Sequence, residues 1–408
     1  MVHRFGNCPH ILPSVDSPPP VHGSSPLNIL HWLDLWWREI GGPIRSVAAL
    51  AEAMHRRGHQ VTVATADARD VPSTWREGDG PAVAAVRHGR FRDLDRSSNA
   101  RMRELVREAD VVHLNGVWEP ASATVARIAR SVGRPYLVTP RGVLDDWSMT
   151  RGWMKKRLHL AVAGGRMLRR AHAVHCTAAG EARQVDRLVP GARLAVIPNL
   201  LDLESLLALS RRESESPRIL FLGRVHPKKG LDRLLDAIAL LDPPFARLDV
   251  AGGGDERHVA PIRRQVDRLG IGDRVEFHGH VEGPALLELM SRAWLMALPT
   301  SQENFGNALF ECLAAGLPVV TSDDLDTSPE LRRSGGAILV PRDSRAIADA
   351  VSRLLGDARD RRGLGVHGRE WIRASMDPRL IADRYELLYE RAANTQRSRA
   401  AHGGGDVE

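Results

Sequence analysis

The chain has 408 residues, of which 43% are hydrophobic and 26% are charged. This composition excludes a largely disordered chain, and the length predicts two or three folded domains. The 57 Lys and Arg exceed the 50 Asp and Glu to give a net charge of +7, and residues 141–170 alone hold eight basic and two acidic side chains. Such a local patch favours an anionic partner for that segment.

The first half of the chain predicts a doubly wound α/β domain over residues 27–200. It follows a Pro- and Ser-rich stretch, residues 1–26, which lacks the apolar core of a signal peptide and which we expect to be a disordered extension. A helix over Pro43–Gly58 separates the first two strands. Short apolar runs predict buried parallel strands at Asn28–Leu33, Gln60–Thr65, Asp110–Leu114, Pro135–Thr139, His172–Thr177 and Leu194–Ile197.

The second half repeats the alternation over residues 218–377, after a predicted linker at residues 201–217. Its predicted strands are Arg218–Leu222, Arg247–Ala251, Arg274–Phe277, Trp294–Leu298 and Pro318–Thr321. Two such Rossmann-like domains would hold a ligand in the cleft between them. A last helix is predicted over residues 378–392, and residues 393–408 are predicted to be a disordered tail.

One strand-end loop in the second half carries two separated cations. Gly223 follows its strand directly, and Arg224 and Lys229 project from a loop that ends at Gly230. A guanidinium and an ammonium at this spacing suit neighbouring phosphates. The alternative is a solvated loop whose charges are incidental.

The segment SQENFGNALFE predicts an anion site at a helix N-terminus. Backbone N–H groups near Phe305, Gly306 and Asn307 would face a negative ligand. Glu303 precedes the helix, and Glu311 lies in its apolar stretch, where an unpaired carboxylate is costly and sugar hydroxyls would provide partners. The alternative is that Glu303 caps the helix and Glu311 pairs with an arginine.

Two glycine clusters are weaker signals. Gly252–Gly254 predicts a tight turn at least as readily as a ligand contact. Gly41 and Gly42 do not form a dinucleotide fingerprint, yet they would let backbone N–H groups approach a phosphate. No metal-ligand spacing is present, so no metal site is predicted.

These motifs, in this order, resemble glycosyltransferase family 4 over roughly residues 27–392. The resemblance implies the GT-B fold, in which two Rossmann-like domains face each other across a cleft, and retaining, metal-independent sugar transfer. The stretch TPRGVL, with Lys155 and Lys156 downstream, resembles the branch that builds bacterial surface polysaccharides.

The resemblance implies three catalytic side chains. Arg224 and Lys229 would bind the diphosphate of a UDP- or GDP-sugar and stabilise it as the leaving group, and Glu303 would contact the transferred sugar. No other cofactor is expected, and the acceptor would be a glycan or a sugar linked to polyprenyl pyrophosphate.

The resemblance also implies donor-binding positions. Glu311 would bind the ribose, and the backbone of Phe305, Gly306 and Asn307 would hold phosphate or sugar. Gly42 would contact the phosphates from the other domain.

Two positions on the acceptor side depart from the family pattern. His113 is followed by Asn115 where many relatives have a second histidine, and Arg141 stands where many have histidine. Arginine cannot act as a general base near neutral pH. We therefore expect Arg141 to contact the acceptor or a phosphate, which leaves the departing phosphate as the nearest proton acceptor.

The basic segment predicts a contact with a membrane or with the acceptor. Arg151, Lys155, Lys156 and Arg157 are interleaved with apolar residues, as in a helix at an anionic lipid surface. These apolar residues form no clean stripe, so a helix packed on the domain surface is the alternative. With no apolar run of 18 residues, we expect a cytoplasmic protein, peripheral on the inner face of the plasma membrane if the patch binds lipid.

Two other functions share parts of the pattern. A basic module that binds nucleic acid or membrane would explain the charge, but no nucleic-acid motif is present and aromatic residues make up only 5%. We therefore expect no nucleic-acid partner. A sugar-nucleotide epimerase or a phosphorylase would share the GT-B fold, and the resemblance around Arg141 argues against both.

Overall fold

The structure is a computed structural model that describes most of the chain. The described residues are 25–37, 41–150, 152–241 and 245–402, with the side chains of residues 146–147 and 397–402 left out. Residues 1–24 of the predicted extension and Arg151 of the basic segment lie outside the described residues. The chain divides into two compact units, Met1–Leu200 with Pro378–Glu408 and Leu201–Asp377.

The first unit is built on a sheet of seven parallel strands. In chain order they are β1 Asn28–Leu33, β2 Gln60–Thr65, β3 Ala82–Ala85, β4 Val111–Asn115, β5 Tyr136–Thr139, β6 Ala173–Cys176 and β7 Leu194–Val196. They lie in the order β3-β2-β1-β4-β5-β6-β7. The direction of winding therefore reverses between β1 and β4.

Helices connect these strands. They are α1 Gly42–Arg56, α2 Ser73–Arg76, α3 Arg96–Glu108, α4 Pro120–Ser131, α5 Asp146–Thr150, α6 Trp153–His159, α7 Gly165–Arg170 and α8 Ala179–Leu188. A π-helical turn, Leu160–Gly164, joins α6 to α7. In α1, Pro43 stands in the first turn and one face carries buried Ile44, Val47 and Leu50, so its sequence fits a helix lying on a sheet.

The second unit contains a sheet of six parallel strands. They are β8 Arg218–Leu222, β9 Arg247–Ala251, β10 Val275–Gly279, β11 Leu295–Leu298, β12 Val319–Ser322 and β13 Ala337–Val340. They lie in the order β10-β9-β8-β11-β12-β13. The winding therefore reverses between β8 and β11.

The helices of this unit follow the same alternation. They are α9 Glu204–Leu207, α10 Leu231–Ala239, α11 Glu256–Leu269, α12 Gly283–Arg292, α13 Asn307–Ala314, α14 Ser328–Ser334, α15 Ser344–Gly356 and α16 Ala358–Ser375. Two 3₁₀ turns are Pro227–Lys229 and Gly272–Arg274. Two parallel sheets with intervening helices confirm the predicted pair of Rossmann-like, doubly wound domains.

The final helix, α17 Pro378–His402, belongs to the first unit. Its Ile381, Tyr385 and Tyr389 are buried in a core shared with β1 and α1. The helix runs ten residues past the predicted end at residue 392. Residues 393–402, predicted to be part of a disordered tail, are therefore helical, and Ala393 is buried.

The segment at residues 201–217 is not a plain linker. Leu201, Leu203 and Leu206 are buried in the core of the second unit, and α9 lies within the segment. The Ser-, Glu- and Arg-rich second half of the segment obscured this apolar first half. Sequence patterns also miss β3 and β13, because both are four-residue edge strands that are only partly buried.

None of the helices in the described ranges is both long and apolar enough to span a bilayer.

Candidate functional site

The predicted donor-binding residues lie at the carboxyl ends of β8 and β11. These neighbouring strands flank the point where the winding of the sheet reverses, which is where doubly wound sheets bind their ligands. The loop after β8 carries Arg224 and Lys229, and the loop after β11 leads through Glu303 to α13. The fold therefore brings together motifs that are more than seventy residues apart in the sequence.

One backbone carbonyl ties these two loops together. The Lys228 carbonyl accepts hydrogen bonds from the Ser301 N–H at 2.6 Å, the Ser301 hydroxyl at 3.1 Å and the Thr300 hydroxyl at 2.9 Å. Gly230 has φ 70°, and a Cβ there would lie 2.1 Å from the Pro299 carbonyl oxygen. Only glycine fits this approach, so the two loops form one fixed edge.

The triglycine after β9 supports the same loop. A Cβ on Gly252 would lie 1.9 Å from the Gly223 carbonyl oxygen, and one on Gly254 would lie 2.5 Å from the Val225 carbonyl oxygen. The Val225 N–H donates to the Gly253 carbonyl at 2.8 Å. These glycines allow one loop to pack on another, which favours the structural interpretation of the triplet.

Lys229 and Glu303 form an ion pair at this edge. Their side chains are 21% and 11% exposed, so the pair is largely shielded from solvent. Arg224 is exposed on the same loop. A phosphate can take the place of the carboxylate as partner of the ammonium, since both are oxyanions.

The N-terminus of α13 lies at the end of the same loop. Gly306 precedes the helix with φ 78° and, as a glycine, has no side chain with which to cap it. N–H groups there carry partial positive charge. Phe305 is buried and stacks on Phe310 at 4.6 Å, so Phe305 can contact a ligand only through its backbone. Glu311 is 8% exposed and shares a helix face with Asn307.

A second charged cluster in this unit has metal-ligand atom types. One ligand atom each from Asp249, Glu276 and His278 lies within 4.8 Å of the others. However, Asp249 Oδ1 accepts hydrogen bonds from Arg218 at 2.7 Å and from Arg292 at 3.2 Å. Two guanidinium groups on the central carboxylate oppose a bound cation, so we interpret the cluster as an ion-pair network.

In the first unit, a row of buried histidines lies beneath α17. His31, His113 and His175 stand on β1, β4 and β6 and are fully buried. His113 bonds with the Tyr389 hydroxyl at 2.8 Å and the Thr139 hydroxyl at 2.7 Å. The structure thus corrects the acceptor-side prediction for His113, because both ring nitrogens are engaged inside the core.

Burial keeps these rings neutral. It lowers the pKa of His31 and of His175 to about 3 each, and it lowers the pKa of His113 well below its ordinary value. Among the described residues, neither ring nitrogen of His31 has a hydrogen-bond partner. The three rings therefore form a packed polar layer that carries no charge at neutral pH.

Arg141 follows β5 and has a left-handed backbone, with φ 61°. Its Nε and Nη2 donate to Asn115 Oδ1 at 3.2 and 2.7 Å, and its Nη1 donates to Asn199 Oδ1 at 3.2 Å. Burial lowers the pKa of the guanidinium from its ordinary value. Asn115 is itself buried, so it positions Arg141 instead of facing an acceptor directly.

Gly42 opens α1 and is exposed, behind a cap residue, Gly41, with φ 78°. No side chain caps this helix. Pro43 has no N–H, and the N–H groups of Ile44 and Arg45 donate to the Gly41 carbonyl at 3.1 and 3.3 Å, so a phosphate contact at this helix start depends on the Gly42 N–H.

The predicted basic patch divides into different environments. Lys155 and Arg157 are exposed on α6. Lys156 instead donates to the Ser148 carbonyl, and its ammonium lies 5.4 Å from the centre of the Trp118 ring. Lys156 therefore holds α6 against the domain.

Four large apolar side chains accompany the exposed cations. Trp153, Met154, Leu158 and Val162 are 53%, 66%, 66% and 69% exposed. We call these four residues, together with Lys155 and Arg157, the basic–apolar surface. An exposed apolar group with a basic rim is typical of an interaction site.

Sequence reasoning missed Asn199, Tyr385 and Tyr389. Tyr389 bonds to His113, Tyr385 bonds to His175 at 3.1 Å, and Asn199 bonds to Arg141. The tyrosines come from a helix more than two hundred residues away in the sequence. An asparagine just beyond β7 was the only local signal.

Comparisons with known proteins agree with this geometry. Residues 41–200 match the family described as glycosyl transferase 4-like domain, and residues 216–357 match glycosyl transferases group 1. The fold resembles sucrose-phosphate synthase from Thermosynechococcus elongatus, with TM-score 0.71, 22% identity and coverage of 90% and 98% of the two chains. It also resembles Anabaena HepE in complex with UDP and glucose, with TM-score 0.71, 19% identity and coverage of 91% and 100%.

Sequence relatives lead to the same family. A D-inositol 3-phosphate glycosyltransferase from Jonesia denitrificans is 32% identical over 213 residues, which span about half of each chain. A phosphatidyl-myo-inositol mannosyltransferase from Mycobacterium leprae is 29% identical over 87% of this chain and 94% of the relative. A GDP-mannose:cellobiosyl-diphosphopolyprenol alpha-mannosyltransferase from Xanthomonas campestris is 27% identical over 72% and 78%. Both halves of the chain match glycosyltransferase families, and both Rossmann-like sheets are present. The chain therefore belongs to the glycosyltransferases that combine a glycosyl transferase 4-like domain with a group 1 domain in the GT-B fold.

Proposed function

We propose that the protein transfers a hexose from a UDP- or GDP-sugar to a glycan or lipid-linked acceptor, with retention of the anomeric configuration and without a metal ion. The observation that carries this proposal is the Lys229–Glu303 ion pair beside the N-terminus of α13, which Gly306 precedes. A shielded cation, a carboxylate and the positive end of a helix at one sheet edge suit a ligand that is both a phosphate and a sugar.

The donor binds through charge and hydroxyl contacts. Arg224 and Lys229 hold the diphosphate together with the first turn of α13. When phosphate takes over the Lys229 ammonium, the Glu303 carboxylate is free to accept hydrogen bonds from the sugar hydroxyls. The buried Glu311 accepts from the ribose, and the Gly42 N–H donates to phosphate.

The chemical step breaks one C–O bond and forms another. The bond between the anomeric carbon and the β-phosphate oxygen breaks, and its electron pair leaves with the phosphate. The acceptor hydroxyl oxygen bonds to the same face of that carbon, and its proton passes to the departing phosphate. Lys229 and Arg224 stabilise the negative charge that develops on the leaving group.

Fixed protein charges supply the role that a metal ion has in many phosphate-transfer enzymes. Two cations and a helix N-terminus lie on rigid loops and need no rearrangement when charge develops. HepE binds UDP, and the Xanthomonas relative is named for GDP-mannose, so we extend both nucleotides to this chain.

We place the acceptor on the first unit. Arg141, held by Asn115, offers a cation at the carboxyl edge of that sheet. Relatives named for phosphatidyl-myo-inositol and for a diphosphopolyprenol support an acceptor that carries a lipid and a phosphate. The basic–apolar surface would then rest on the anionic cytoplasmic face of the plasma membrane.

The donor proposal is tested by a thermal-shift screen with UDP-, GDP- and ADP-sugars, because a ligand that binds the folded state raises its melting temperature. We expect a shift with a UDP- or GDP-sugar that persists in EDTA. Transfer in EDTA, followed by NMR of the product, tests metal independence and retention. Loss of transfer in EDTA, or a product of inverted configuration, would contradict those two properties.

A further inference from the structure

The Arg141 guanidinium is a partly buried cation whose hydrogen-bond partners are neutral groups. Its hydrogen-bond partners are the side-chain oxygens of Asn115 and Asn199, at distances from 2.7 to 3.2 Å. Within the described part of the chain, no carboxylate lies in ion-pair range of it. A cation removed from water without an anion is unfavourable, and a ligand oxyanion would offset that cost.

The two amides are fixed in the orientation that Arg141 needs. Asn115 and Asn199 are 4% and 7% exposed. The Asn115 amide nitrogen donates to the Trp32 and His113 carbonyls, both at 3.3 Å, which turns its oxygen towards the guanidinium. The guanidinium is therefore oriented before any ligand arrives.

The neighbouring carboxylate is directed elsewhere. Glu181 is fully buried, and its two oxygens accept from the Gly142 N–H at 2.8 Å and the Thr177 N–H at 2.7 Å. Burial raises the pKa of this carboxyl group. Glu181 thus holds the turn of Arg141 and Gly142, which have φ 61° and 71°, and its charge acts on the guanidinium from a distance, without a direct ion pair in the described part of the chain.

The remaining N–H groups can serve a ligand. A guanidinium has five N–H donors in a planar fork, and the three bonds to the amides leave two of them. Arg141 is partly exposed. It stands after β5, next to the strand end at Asn115 where the winding of this sheet reverses. This is the edge at which such sheets bind ligands.

We propose that Arg141, with Asn115 and Asn199 as positioning residues, is a receptor for a phosphate-type oxyanion carried by the acceptor. That the oxyanion belongs to the acceptor rests on the proposed function. A pyrophosphate or phosphate group would take the two remaining N–H donors and fix the acceptor relative to the sheet edge.

The test replaces an amide oxygen by a carboxylate. In the full-length Arg224→Ala/Lys229→Ala double variant, the loop after β8, which we call the donor loop, has lost its cations. Inorganic pyrophosphate is titrated into this variant by calorimetry. Adding Asn199→Asp places an anion against Arg141 with almost no change of shape, and we expect pyrophosphate binding to weaken about tenfold or more. Asn99→Asp on α3 makes the same charge change away from Arg141 and is the matched control.

Equal pyrophosphate binding by the Asn199→Asp and Asn99→Asp forms would overturn the proposal. If Asn199→Asp fails to fold, Arg141→Gln replaces it. We again expect weaker pyrophosphate binding, and binding equal to that of the Asn99→Asp form would again overturn the proposal. UDP is also titrated into Asn199→Asp with the donor loop intact, where we expect unchanged affinity. A matching loss of UDP affinity would mean that Arg141 holds the donor, which overturns the assignment to the acceptor.

The two proposals fail separately. A pyrophosphate effect of Asn199→Asp without any sugar transfer would refute the proposed function and leave the oxyanion site standing. Sugar transfer by the wild type, without an effect of Asn199→Asp on pyrophosphate binding, would refute the oxyanion site and leave the proposed function standing.

Discussion

The two units hold their key cations in opposite ways. In the second unit, Lys229 is paired with Glu303 in a largely shielded ion pair. In the first unit, Arg141 is held by the neutral side chains of Asn115 and Asn199. The Lys229–Glu303 pair is electrically neutral before a ligand binds, whereas the positive charge of Arg141 remains for a ligand anion to neutralise.

This difference bears on what each site can do. Under the proposed function, a phosphate at Lys229 would compete with Glu303, and this competition would release a carboxylate to contact the sugar. A ligand at Arg141 displaces no protein anion, so the site gains the whole charge-assisted interaction but releases nothing. The first site is suited to chemistry and the second to positioning.

The largest expected effect comes from breaking the paired site. Lys229→Ala should lower the turnover number for transfer by about a hundredfold to a thousandfold, because one fixed donor to the leaving group is lost. Steady-state kinetics with the nucleotide sugar found in the donor screen measure it. Arg257→Ala, which removes an exposed ion pair with Asp255 on the same unit, is the control. Normal turnover by a folded Lys229→Ala protein would refute the leaving-group role.

The glycine support of the paired site is tested by stability. Gly252→Ala should lower the free energy of unfolding by about 2–4 kcal/mol. The added Cβ would collide with the Gly223 carbonyl oxygen, and relieving the collision requires the backbone to move. Urea denaturation of the full chain measures this. Gly272→Ala, with nothing within 4 Å of the added carbon, is the matched control. Similar stability of the two variants would contradict the packing described for the donor loop.

The buried layer of His31, His113 and His175 predicts that the stability of the fold depends on pH. The pKa of His31 is about 3 in the folded protein, against about 6.5 in the unfolded chain. Below pH 6.5 the unfolded state therefore takes up a proton that the folded state refuses, and stability falls as the pH falls towards 3. Removing this one ring should recover about 2 kcal/mol of the loss between pH 7.5 and pH 5.

His31→Leu is the variant for that measurement, since neither ring nitrogen has a partner to lose. Denaturation at the two pH values should give a flatter dependence than in the wild type. His280→Leu, at a side chain that is 75% exposed, should keep the wild-type slope. A wild-type slope in His31→Leu would show that this histidine titrates normally in the folded protein.

The smallest expected effect concerns the basic–apolar surface of the first unit. Leu158→Ser should weaken binding to anionic vesicles by about 1 kcal/mol, or roughly fivefold, because one partly inserted apolar side chain is lost. Co-sedimentation with vesicles of phosphatidylglycerol and phosphatidylcholine measures it. Phe245→Ser, at an exposed aromatic residue of the second unit, is the control. Equal binding by both variants, or no preference of the wild type for anionic vesicles, would argue against a membrane role.

The second unit is more readable from sequence than the first. Its candidate site consists of contiguous motifs, and the strand and helix that carry them have strong apolar periodicity, so the strand-end loops that hold Lys229 and Glu303 could be predicted from the sequence alone. That the two residues form an ion pair could not be predicted, because the pair depends on the Lys228 carbonyl joining two loops.

The first-unit site could be predicted only in part, for a physical reason. Arg141 and Asn115 are candidates in the sequence, but Asn115 ends β4, Arg141 follows β5 and Asn199 follows β7, and no motif shows that the three side chains meet. His113 looks like a site residue because it is polar at a strand end, yet Tyr389 from the distant α17 covers it. Polar residues satisfied by long-range partners have the same local pattern as ligand-binding ones.

The most direct test of a donor diphosphate at Lys229 is the affinity for the free nucleotides. UDP and GDP are titrated into the wild type, Lys229→Ala and Lys155→Ala, which removes an exposed lysine from the other lysine pair. We predict that Lys229→Ala loses at least about tenfold in affinity for the preferred nucleotide while Lys155→Ala binds like the wild type. Wild-type affinity in Lys229→Ala, with the fold intact, would contradict a donor diphosphate at this sheet edge.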